Sequence, residues 1–305
     1  MRVCPTSVPY HANTIASPPD PRDFAFSPIY TGNSITDLTH LIAERENQGS
    51  EGTCVAKSKN SLCETIVKQA TGEIIDLSTA FTYQVGREIS RLPAHIPGMI
   101  PRDALRAMMR YGIPLQSEWE YTSRNLTTRP PESVFASAAT RKVSRFECVY
   151  NSSTFPGMNR DEKIDRIKAA LAEGLPVSFA MMVTNSLGRL TGPWWSHRYD
   201  LCNATNAIGG HNQDVYINDD SINMFGVLNS WGEANGDKGI VGLPYSIVDE
   251  PFFEAWVIRG FMGMGIAETP GIKLEVNTGR AIDTRIVPPH HMLGKTVKVW
   301  VGAKL

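Results

Sequence analysis

The spacing of apolar residues changes near residue 175, and that change limits the folds open to this chain. Before it, apolar side chains recur at helical intervals. Residues 54–70 place Val55, Leu62, Ile66 and Val67 near one face, with Gly72 as a stop. Leu77 to Ile89 follows as a second helix, entered through Ser78 as N-cap. Pro101 to Tyr111 is a third, with Pro at its start, Leu105, Met108 and Met109 turned inward and Gly112 after it. Asp161 to Ala172 is a fourth, ended by Glu173-Gly174. After it, Pro176 to Val183, Gln213 to Ile217, Asn223 to Leu228 and Phe253 to Ile258 read as strands. Helices first and strands second predict an α+β fold of two lobes, with a ligand cleft between them.

The flanks differ from this centre. Residues 1–36 are rich in Pro, Ser, Thr and Asn and read as an extended arm on the surface. The centre, residues 37–260, divides into a helical lobe of about 37–175 and a β lobe of about 176–260. Residues 261–305 carry alternating runs at 273–276, 284–287 and 296–301 and read as a small C-terminal β appendage.

Composition excludes several classes. Hydrophobic residues make up 42% of the 305 and charged residues 20%, enough apolar matter for a large core. The net charge of −1, without a basic stripe, gives no nucleic-acid footprint. No apolar run is long enough for a membrane span, and Met1 to Pro21 lacks the apolar centre of a secretory signal. The sequence does not fix a compartment; without a secretory signal, the cytoplasm and carriage on a virus-like particle are both open. The five cysteines (Cys4, Cys54, Cys63, Cys148 and Cys202) include no CxxC pair. Neither a zinc site nor a disulfide framework is expected, and no metal or other cofactor. His290-His291 follows two prolines without a carboxylate or thiol partner at fixed spacing, and reads as a solvated loop.

Cys54 is the exception among the thiols. Gly49, Gly52 and Thr53 precede it and a helical pattern follows, so its sulfur would face unpaired N–H groups at a helix start. Such a setting, or a nearby imidazolium, lowers a thiol pKa by several units. Lys57 and Lys59 add positive charge one turn on, or lie solvated. Gln48 is placed to donate its side-chain amide to a developing oxyanion, together with the Cys54 N–H. A base is available in Gly209-Gly210-His211. Asn229 follows 18 residues later, and a hairpin through Asn218-Asp219-Asp220-Ser221 would bring both side chains together. Asn229 would then orient the imidazole, with Trp231 shielding that hydrogen bond.

These segments resemble the papain-like cysteine peptidases of the prokaryotic and viral type. The likeness extends from about 18 to 260 and includes Pro19-Asp20-Pro21-Arg22-Asp23-Phe24, Arg102-Asp103-Ala104-Leu105 and Gly174-Leu175-Pro176-Val177. Its most specific part is Asn229-Ser230-Trp231-Gly232 with Gly236-Asp237-Lys238-Gly239. The resemblance implies the papain-like two-lobe fold, a peptide or protein substrate, Cys54 as nucleophile, His211 as base, Asn229 as orienter and Gln48 as oxyanion donor. Gly98, Gly210 and Trp231 become the candidate substrate-binding residues. The chain departs from the pattern at Glu51, where many members carry a disulfide cysteine, and at Val55, where an aromatic is usual. It also departs at Asn212-Gln213-Asp214, where small apolar residues are usual, and at Lys57 and Lys59, on a helix the family buries. No propeptide of ordinary size precedes Cys54, so zymogen control of the usual kind is not expected. The rival reading is a structural or docking component of a large assembly, such as a phage particle. It would keep the same core with little or no activity, and bind protein partners through the arm and the tail.

Overall fold

A computed structural model describes residues 12–28, 32–196, 199, 206–248, 252–264, 272–274 and 282–286. The run at 296–301, His290-His291, Cys4 and Cys202 lie outside the described residues. In chain order the elements are β1 (Ile35–Asp37), α1 (Cys54–Thr71), α2 (Thr79–Ser90), α3 (Pro101–Arg110), α4 (Glu132–Ala138), β2 (Lys142–Asn151), α5 (Arg160–Ala172) and β3 (Val177–Thr184). Then follow β4 (Ala207–Asp219), β5 (Met224–Leu228), β6 (Ile240–Pro244), β7 (Phe252–Met262), β8 (Ile272–Leu274) and β9 (Ile282–Ile286).

The helices start and stop where local chemistry requires. α1 ends at Gly72, whose φ of 78° suits glycine and whose N–H returns to the Lys68 carbonyl. α2 is capped by Ser78, whose side chain accepts from the Phe81 N–H. α3 begins with proline at its first turn, where no N–H is needed. α5 is entered through a capping box of Asn159 and Glu162.

The strands build one antiparallel sheet in the order β2-β7-β3-β4-β5-β6, with β1 added on β4. β4 and β5 are joined by the hairpin expected at Asn218 to Ser221, in a register that pairs Asp214 with Leu228. β2 and α5 precede residue 176 yet belong with the sheet: β2 pairs with β7, and Ile164, Ile167 and Leu171 of α5 enter the core under β3 and β4. The helical lobe is therefore narrower than the 37–175 boundary suggests. β8 and β9 pair with each other as a two-stranded sheet and partly overlap the first two alternating runs of the tail.

α1 lies at the centre. Most of its length is buried, with Leu62, Cys63 and Val67 in one apolar cluster and Cys54, Val55 and Ala56 in another. Each fully buried aliphatic side chain of this kind is worth about 1.5–3 kcal/mol. That burial fixes the start of α1, and so Cys54, against the sheet.

The arm departs from expectation. Phe26 is in the core, and its N–H donates to the Cys148 carbonyl. Asp23 forms a buried ion pair with Arg102 at 2.8 Å, and Asp20 pairs with Arg106 at 2.6 Å. Residues 12–28 are therefore integrated into the domain. A short polar segment has no periodicity to announce such contacts, because every partner is distant in sequence.

Candidate active site

Cys54 opens α1. Thr53 precedes it without capping the helix, because its hydroxyl bonds to the Tyr121 hydroxyl at 2.7 Å. His211 lies on β4, and Asn229 follows the end of β5. The hairpin brings them together: His211 Nε2 and Asn229 Oδ1 are 2.8 Å apart. Trp231 stacks on the imidazole at 4.7 Å between ring centroids and is nearly fully buried.

The tautomer of His211 follows from hydrogen-bond accounting. The Leu187 carbonyl can only accept, and it takes a bond from Asn235 Nδ2 at 2.8 Å. Asn235 Oδ1 therefore faces Asn229 and accepts from its Nδ2 at 2.7 Å. Asn229 Oδ1 is left to accept, and does so from the Ser230 N–H at 2.8 Å and from His211 Nε2–H. The imidazole proton sits on Nε2. Nδ1 is buried with no hydrogen-bond partner at ordinary distance, and its lone pair is the one available to the thiol. Asn235 is a site residue that spacing alone does not reveal, because its role depends on a carbonyl 48 residues away.

The Cys54 thiol is held at about 7, below its ordinary value of 9.0. Burial pushes it up, but the nearby His211 imidazole, the Thr14 hydroxyl and the Asn212 N–H together bring it down. By contrast, burial drives the Cys63 thiol well up and Cys148 up as well, so neither is a reactive thiol at neutral pH.

Gln48 sits in the loop before α1. This loop is stapled to the loop after β5: Gln48 N–H donates to the Ser230 carbonyl at 2.8 Å, and Gly232 N–H to the Glu46 carbonyl at 2.9 Å. Gln48 Oε1 accepts from Ser230 Oγ at 2.7 Å, and Nε2 donates to the Glu51 carbonyl at 2.7 Å.

Gly98 and Gly210 flank Cys54, and the arm runs between them. Thr14 N–H donates to the Gly210 carbonyl at 2.6 Å, and Ile15 N–H to the Met99 carbonyl at 3.0 Å. A Cβ on Gly98 would meet the Asn13 carbonyl oxygen at 1.7 Å, and one on Gly210 the Thr14 oxygen at 2.4 Å. Both glycines leave room for a main chain. Thr14 Oγ1 lies 3.3 Å from Cys54 Sγ, and the sulfur has no solvent exposure. A hydroxyl, not a carbonyl carbon, is set against the Cys54 sulfur. Ser17 fixes this segment by donating its N–H and Oγ–H to Glu254 at 2.9 and 2.6 Å.

Lys57 and Lys59 are not solvated. Lys57 is buried, pairs with Glu46 and lies 4.3 Å from the centre of the Tyr121 ring. Lys59 is wholly buried and donates to Ser178 Oγ. A lysine on a helix reads as exposed until its tertiary partners are known.

Comparison with known proteins identifies the family of the chain. The family described as papain family cysteine protease matches residues 35–249. A curated relative, described as an uncharacterized peptidase C1-like protein of Acanthamoeba polyphaga mimivirus, is 23% identical over 242 residues, covering 76% of this chain and 74% of its own. Among solved structures, xylellain, a cysteine protease from Xylella fastidiosa, superposes with a TM-score of 0.71 at 24% identity, covering 84% of this chain and 98% of its own. Digestive procathepsin L 3 of Tenebrio molitor larval midgut gives 0.58 at 16% identity, covering 81% and 75%. These structures share the fold, and among the described residues no helix is long and apolar enough to cross a membrane. With the match spanning most of the sequence, the chain belongs to the papain family of cysteine proteases.

Proposed function

We propose that the chain hydrolyses peptide bonds through a Cys54 thiolate. The observation that carries this reading is the buried line from Leu187 through Asn235 and Asn229 to His211, which leaves Nδ1 to take the thiol proton. The thiolate attacks the scissile carbonyl carbon. The oxyanion is met by the Cys54 N–H and the Gln48 amide. Collapse breaks the C–N bond as His211 Nδ1–H protonates the leaving amine, giving a thioester. Water, deprotonated by the same nitrogen, releases the carboxylic acid and restores the thiol. Substrate backbone would use the acceptors that residues 12–15 now occupy, the Gly210 and Met99 carbonyls. The form described is latent, and turnover requires the arm to leave.

The test is cleavage of a mixed peptide library, read as new amino termini, by the full chain and by a Ser17→Ala variant that loosens the arm. Cleavage that disappears in Cys54→Ala supports the proposal. No cleavage by either the full chain or the loosened variant overturns it.

A further inference from the structure

Two of the departures from the family pattern, at Lys59 and at Asn212 to Asp214, meet in one place. Lys59, on α1, and Asn212 and Asp214, on β4, converge with Ser58 and Ser178 beneath the catalytic pair. All five are at most 3% exposed. Ser58 Oγ donates to Asp214 Oδ1 at 2.5 Å and lies 2.6 Å from Ser178 Oγ. Asn212 Nδ2 lies 2.8 Å from both hydroxyl oxygens, and Lys59 Nζ donates to Ser178.

The bonding has a direction. An ionised Asp214 accepts only, so it draws the hydroxyl hydrogen of Ser58 toward itself. The lone pairs of both hydroxyls then point at the donors that remain, the Asn212 amide and the Lys59 ammonium. The carboxylate thereby orients the hydroxyls, the hydroxyls grip Asn212, and Asn212 is the residue directly after His211. The main-chain N–H of Asn212 faces the Cys54 sulfur. Lys59 and Asp214 are opposite buried charges joined through Ser178 and Ser58 rather than by a direct ion pair, and such a buried charged assembly is a poor means of stabilising a core, since apolar residues of like volume do as well or better. Its placement between the helix of the nucleophile and the strand of the base gives it a different use.

We propose that Lys59 and Asp214 are positioning residues for the Cys54–His211 pair: through Ser58, Ser178 and Asn212 they lock β4 onto α1 and keep an ammonium beneath the sulfur. The proposal rests on the peptidase reading. The charged or titratable groups that face Lys59 are Asp214 from β4, Glu254 from β7, and Cys54 and Cys63 from its own helix. Burial pushes Asp214 up and Lys59 down, and each charge opposes that drift in the other.

The experiment titrates the Cys54 thiolate by its ultraviolet absorbance in the full chain, with Cys54→Ala subtracted to remove the other four cysteines. It needs no turnover and no release of the arm. The double variant K59M/D214L replaces the pair without leaving an uncompensated buried charge. Its expected result is a thermal midpoint unchanged or raised, with the thiolate midpoint raised by about one unit, leaving about tenfold less thiolate at a given acidic pH. Asn212→Ala, which removes no charge, keeps the test open should the double variant not fold, and is expected to raise the midpoint by a smaller step. A wild-type midpoint near 7 that stays in place in a folded variant overturns this proposal alone. A wild-type Cys54 that titrates at or above 9.0 overturns the peptidase reading beneath it.

Discussion

The two sides of the Cys54–His211 pair are built from different materials. On the cleft side, residues 12–17 cover the sulfur mainly through main-chain hydrogen bonds to Gly210 and Met99, the acceptors any extended peptide would use. On the buried side, side chains bind side chains: Asn235 to Asn229 to His211, and Asp214 to Ser58 to Asn212. Main-chain contacts are generic, of the kind any extended peptide makes. Side-chain contacts are particular to each residue. Ser17 fastens the arm to the buried Glu254 through both its main-chain N–H and its hydroxyl.

The comparison can be broken from the buried side first. Asn229→Ala frees the imidazole and is expected to cut kcat about a hundredfold, with KM little changed, in steady-state assays on the arm-loosened enzyme. Asn235→Ala leaves Asn229 present but free to turn, and a loss of about tenfold is expected, again in kcat. A neutral-imidazole 15N spectrum showing both tautomers would accompany it. A loss confined to KM would contradict the assignment of Asn235.

From the cleft side the expected sign reverses. Ser17→Ala removes a hydrogen bond to a carboxylate, and labelling of Cys54 by a thiol reagent should quicken about tenfold. Slower labelling would mean that the arm supports the site and does not cover it. The smallest effect belongs to a residue on neither side. Ser78→Ala removes the cap of α2 and should cost about 1 kcal/mol in denaturant unfolding, without altering the labelling rate.

Much of this architecture is written locally in the chain. The starts and stops of α1 to α3 lie in Gly72, Ser78, Pro101 and Gly112, and Cys54, Gln48, His211 and Asn229 stand in settings that point to a thiol nucleophile, a base and their supports. What is not legible depends on contacts distant in sequence. β2 carries register shifts at three places, which break the alternation that would mark it as a strand. The first half of β4 buries His211, Asn212 and Asp214 where apolar residues would signal a strand. Lys59 reads as solvated until Ser178 and Asp214 are placed beside it, and Thr14 reads as loop until the sulfur it touches is known.

The most direct measurement is the pH dependence of alkylation at Cys54, followed by mass spectrometry on the full chain and on His211→Ala. Because the folded thiol titrates below its ordinary value, adduct formation is expected to rise through about pH 7. In His211→Ala burial is no longer opposed by the imidazole, and the rise should move toward 9.0 or beyond. Equal profiles in the two proteins, or an adduct formed mainly at another cysteine, would contradict a Cys54 nucleophile activated by His211.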